Sequence, residues 1–135
     1  MNFTSQICTT IEQSERLLAL GLKKETADMS ILTNQISGDG IIYSLTPYNE
    51  LIHPKVFGAI PAWSLNRLIE MMPSTIQDLY ELDFSKLGVY YTDFSNDSFN
   101  FVQSFAKPDK SLYDNVIDCI EWLIKGGHFN KEYLN

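Results

Sequence analysis

The sequence predicts an α+β domain in which three helices pack on a mainly antiparallel sheet of about five strands, in the order α-β-β-α-β-β-β-α. Three observations carry that expectation. Residues 112–125 are apolar on every side but one, at helical spacing. Residues 80–105 hold three runs rich in aromatic and β-branched residues. Between neighbouring strands stand turn clusters too short for crossover helices, which favours antiparallel pairing with the helices set to one face.

Taken in order, the first helix is announced by Thr10-Ile11-Glu12-Gln13, where Thr10 and Gln13 form a capping box. It runs through Arg16, Leu17 and Leu18 and stops at Gly21, whose freedom at positive φ suits a helix end. Glu12, Gln13 and Arg16 are expected in water. Ile31-Leu32 and Ile41 to Leu45 read as a hairpin around the turn-forming Ser37-Gly38-Asp39-Gly40. From Pro47 to Pro61 no periodicity is visible, so an irregular stretch is expected.

Ser64 is a candidate N-cap for the second helix. Leu65, Leu68, Ile69 and Met72 fall on one face and Asn66, Arg67 and Glu70 opposite, and Pro73 ends the run. The strands Tyr80–Phe84, Val89–Phe94 and Phe99–Phe105 follow, the last two joined by Ser95-Asn96-Asp97-Ser98. In the third helix Asp114, Asp118, Glu121 and Lys125 form a narrow polar stripe with Asn115 beside it. Val116, Ile117, Ile120 and Leu123 should then be the spine of the core.

At 135 residues the chain fits one domain, 1–135, and its 44% hydrophobic content supplies a core without a metal or disulfide staple. Ten basic residues against 17 acidic give a net charge of -7. That sign opposes direct binding to nucleic acid or to anionic membrane, since both reward cations. The start Met1 to Gln6 has neither the basic nor the apolar region of a signal peptide, and no run is long enough to span a bilayer. A cytoplasmic setting is expected, with Cys8 and Cys119 as free thiols.

No catalytic or metal-binding set is legible, and no cofactor is expected. Cys8 with His53 or His128 would need a base within reach of the thiol, and neither histidine stands in a catalytic context. Asp93, Ser95 and Asp97 open like a calcium loop, but Ser98 and Ser104 occupy the positions that need Gly and Glu. Gly38-Asp39-Gly40 lacks the third glycine of a dinucleotide site. What stands out is the aromatic content, 13% of the chain. Trp63 reads as a staple before the second helix, Trp122 as the border of the apolar face, and Tyr90 and Tyr91 as opposite faces of a strand. The candidate binding residues are therefore Tyr48, Glu50, His53, Trp63 and Tyr90, because Trp and Tyr dominate binding hot spots.

Three groups of residues carry a resemblance: Cys8-Thr9-Thr10-Ile11-Glu12-Gln13-Ser14 with Thr26-Ala27-Asp28-Met29, then Ile60-Pro61-Ala62-Trp63-Ser64, then Trp122-Leu123-Ile124. In that order they resemble a group of small proteins carried by gut bacteria, their phages and integrated mobile elements. The group has no assigned activity. The resemblance implies a bacterial cytosolic setting and an accessory role for a mobile element, and transfers no site residue. Three functions fit the sequence. The first is a non-enzymatic accessory domain that binds another protein. The second is a small enzyme or ligand binder using residues 47–61 as a pocket wall. The third is an acidic mimic occupying a nucleic-acid-binding protein.

Overall fold

A computed structural model describes residues 5–33, 41–44, 58–93 and 100–135. The fold is α+β, and its described strands pair antiparallel throughout. They fall into two sheets rather than one, of three and four strands. The chain divides into two compact units, Met1–Leu68 with Glu132–Asn135, and Ile69–Lys131.

In the first unit α1 spans Ile11–Ala19. The expected capping box is present: the Gln13 backbone N–H donates to Thr10 Oγ1 at 3.2 Å, and the Thr10 N–H to Gln13 Oε1 at 3.0 Å. That same oxygen accepts from the Gln6 side chain at 2.8 Å. Gln13 is therefore buried, not in water as expected, because the cap folds its side chain back onto the chain. Gly21 sits at φ 101°, and the Gly21 and Leu22 N–H groups donate to Leu18 and Leu17 carbonyls. This paired closure satisfies the last turn only where a residue accepts a left-handed backbone.

Strands β1 (Met29–Thr33) and β2 (Ile41–Ser44) pair as expected, with Leu32 opposite Ile42. The expected irregular stretch is corrected at its end. Gly58–Ala62 is a strand, β3, paired along the other side of β1 with Ile31 opposite Ile60. Pro61 hid it, yet a proline is tolerated where a strand forms the sheet's edge, and β3 ends the order β2-β1-β3. Cys8, Met29, Ile31 and Ala62 form a buried cluster, with Ile11 and Ile60 packed against it.

Helix α2 (Leu65–Met71) begins at Ser64, whose hydroxyl accepts the Arg67 N–H at 3.1 Å. Both of the Ser64 donors in turn bind Asp28, the backbone N–H at 2.8 Å. Leu68 and Met72 are buried and Asn66 and Glu70 exposed, as the periodicity predicts. Leu65 and Ile69 of the expected apolar face and Arg67 of the polar one are half-buried, and Met71 is buried as well.

The second unit opens with a short strand β4 (Thr75–Ile76), which the sequence does not announce. It turns back onto β5 (Tyr80–Phe84) through Gln77 and Asp78, both at left-handed φ (54° and 55°). Strands β6 (Val89–Asp93) and β7 (Asn100–Phe105) complete the expected meander, in the order β4-β5-β6-β7. A register shift at Tyr91/Thr92 breaks the alternation, so both of those side chains are buried. Gly88 permits the closest backbone approach here, since a Cβ there would stand 1.9 Å from the Phe105 carbonyl oxygen.

Helix α3 (Leu112–Lys125) lies against β6 and β7. Ser111 caps its start by accepting the Asp114 N–H at 3.0 Å. Gly127, at φ 73°, closes its end as the Gly127 and His128 N–H groups reach the Ile124 and Leu123 carbonyls. Val116, Ile117, Ile120 and Leu123 are fully buried, so the helix is the core spine the sequence predicts. Truncating Ile120→Ala should cost roughly 2–5 kcal/mol, since a rigid helix over a sheet cannot collapse into the void. Urea unfolding with an unchanged midpoint would contradict this placement.

Candidate functional site

Three consecutive residues of β7, Gln103, Ser104 and Phe105, line one open groove of about 410 Å³ in the second unit. Alternate side chains of a strand point to opposite faces. Consecutive residues can therefore share a groove only where it runs along the strand's edge. Among the described strands β7 pairs with β6 alone, so this is its outer edge. The opposite wall is α3, which contributes Asn115, Asp118, Glu121, Trp122 and Lys125. Their helical spacing puts all five on one side of the helix.

Asn115 fixes the distance between the walls. Its Oδ1 accepts the Lys107 N–H at 3.1 Å, and its Nδ2 donates to the Lys107 carbonyl at 3.1 Å and the Leu87 carbonyl at 2.9 Å. The sequence pattern sets Asn115 beside the wet stripe. The structure corrects that, because only 1% of its surface is exposed. A buried amide with both donors used stabilises the fold instead of wasting its desolvation.

Trp122 forms the aromatic floor. Half-buried, its ring lies 5.8 Å from Phe105, 5.9 Å from Tyr91 and 5.9 Å from His128, centroid to centroid. Such tilted contacts hold a ring in one orientation. Around the rim, Lys110 pairs with Asp118 at 2.6 Å and Lys125 with Glu121 at 2.5 Å. The exposed ammonium of Lys107 pairs with no described residue. Among the described lining residues three ammoniums stand against two carboxylates, an excess of one positive charge in a chain of net charge -7.

The residues singled out from the sequence fare differently. Tyr48, Glu50 and His53 lie outside the described residues, as does the turn at Ser95 to Ser98. Trp63 is fully buried, and its indole N–H donates to Thr26 Oγ1 at 2.9 Å, so it offers no surface to a partner. It is thus a core staple, as its place before the helix suggests, and not a binding residue, and the Thr9 N–H donates to its carbonyl. Tyr90 is half-buried on β6, an inner strand, with its hydroxyl 2.9 Å from Ser85 Oγ, and it does not line the groove. Trp122, marked from sequence as a border residue, is the one that reaches the groove.

The described residues contain no group of three His, Cys, Asp or Glu side chains placed to hold a metal ion. None of their helices is long and apolar enough to cross a membrane. Cys8 and Cys119 are free and buried. Burial, reinforced by the Asp28 carboxylate, pushes the Cys8 thiol up to about 11, and burial pushes Cys119 up to about 12. A thiol held protonated in this way is a poor nucleophile. Leu79, Phe84 and Leu87 stand about half exposed around β5, single apolar side chains of the kind ordinary on surfaces. Comparison with protein-family models, with curated proteins and with solved structures returned no match.

The thiols set a pH dependence. Their folded pKa values lie above the unfolded value, so the unfolded chain ionises first as pH rises. Their contribution to stability is complete below about pH 9 and is lost progressively from there to about 11 for Cys8 and about 12 for Cys119. Urea midpoints should therefore fall more steeply between about pH 8 and pH 10 for the native chain than for the double variant Cys8→Ala/Cys119→Ala. Parallel slopes would show that the thiols are not shielded.

Proposed function

We propose that this chain is a non-enzymatic accessory domain that acts by binding another protein through the groove between β7 and α3. The observation that supports this most is the groove's composition. A half-buried tryptophan, fixed by three aromatic neighbours, lies among charged side chains beside a strand edge that no described strand pairs with. Rigid aromatic anchors with a charged rim are what protein recognition sites use to combine affinity with selectivity. The buried, protonated thiols offer no competing chemistry there. The resemblance to small proteins of gut bacteria and their phages fits an accessory role in a bacterial cytoplasm.

Two exposed rim positions test the reading without touching the core. The double variant Ser104→Arg/Lys107→Glu alters the groove's shape and charge, and Glu12→Lys changes an exposed position on α1. Affinity capture with chemical cross-linking should recover a partner with the native chain and with Glu12→Lys, and lose it with the groove variant. Recovery of the same partner by all three chains would refute the assignment of the groove.

A further inference from the structure

Resting on that reading, we infer that the partner element is an extended, acidic chain segment that adds to the outer edge of β7 as a fifth strand. Two independent observations meet here. The first is geometric: an edge strand presents backbone N–H and C=O groups that no described strand satisfies, a template for another extended chain. The groove runs beside that edge, since Gln103, Ser104 and Phe105 all line it. A segment lying there would turn alternate side chains toward Trp122 and toward solvent, following the two-residue period of a strand.

The second observation is charge. The carboxylates of Asp118 and Glu121 are already matched by Lys110 and Lys125, which leaves Lys107 as the ammonium without a described partner. An incoming carboxylate meets that ammonium at the end of β7. A second copy of this chain is the less suitable occupant. It would bring the same lysines to the contact and add another net charge of -7, and both repel. A helical occupant makes no use of an open strand edge.

The experiment selects blocked linear octapeptides from a random library on the immobilised full-length chain. Selected sequences should alternate apolar with acidic residues and should bind Lys107→Glu at least tenfold more weakly. The best peptide is then remade with N-methyl groups on either of its two alternate sets of residues. Methylating the set that faces β7 should weaken binding tenfold or more, while methylating the outward set should leave it unchanged. Two methylated forms that bind equally well would overturn strand addition while leaving the groove as a protein-binding site. Selected peptides that bind Ser104→Arg/Lys107→Glu as tightly as the native chain, or no selected peptide at all, would overturn both readings.

Discussion

The second unit depends on one side chain, Asn115. It is the only polar member of the buried set on α3, and its amide joins three backbone groups from two separate connections. One connection leads from β5 to β6 through Leu87. The other leads from β7 to α3 through Lys107. Helix and sheet are thus fastened by hydrogen bonds as well as by apolar packing, at a net gain of about 0.5–1.5 kcal/mol per bond. The larger consequence is geometric. Apolar packing alone would let a helix slide along a sheet, whereas a bidentate amide fixes its register. The groove exists because that register keeps Trp122 and the rim charges level with the edge of β7.

The first unit is organised in a comparable way around Trp63. Its backbone N–H donates to Thr9 Oγ1 at 3.0 Å, its carbonyl accepts the Thr9 N–H at 2.9 Å, and its indole N–H reaches Thr26. Thr9 Oγ1 also lies 2.7 Å from Ser14 Oγ, and Thr26 Oγ1 donates to the Lys23 carbonyl at 2.7 Å. Arg67 adds a bond to the Thr26 carbonyl at 2.8 Å. Two of the three groups of residues that carry the sequence resemblance, around Thr9, Thr26 and Trp63, are therefore one hydrogen-bonded assembly within this unit. Burying so many polar atoms is stabilising only when each is satisfied, and among the described residues no buried side-chain nitrogen or oxygen lacks a partner. Those two groups of motifs describe a scaffold, while the third, Trp122-Leu123-Ile124, supplies the floor of the groove in the second unit.

Local signals explain which parts of the fold were legible from sequence. The capping box at Thr10, the glycine stop at Gly21, the N-cap at Ser64 and the apolar face of α3 each depend on a few neighbouring residues. Strands β3 and β4 were not legible. Pro61 masks the first, because a proline argues against a strand unless its edge position is known. The second has two residues and turns through Gln77, a residue with no special liking for left-handed backbone. The site was legible only at Trp122. Whether β7 is an edge strand depends on pairing across the sheet, and whether Asn115 is buried depends on two distant carbonyls. Neither property leaves a periodic trace, so Gln103, Phe105, Lys107 and Lys110 carried no signal. Trp63 was legible as a staple, but only as one of two readings, because a tryptophan before a helix looks alike whether it faces a partner or Thr26.

Among the described strands β7 pairs on one side only, with β6, and a docking edge requires its other side to be open. Amide hydrogen exchange, resolved residue by residue across Gln103, Ser104 and Phe105, measures this directly. Amides bonded to β6 should exchange slowly and those on the outer edge rapidly, so that protection alternates along the strand. Uniformly slow exchange through all three residues would mean that both sides of β7 are already occupied, and the proposed docking edge would not exist.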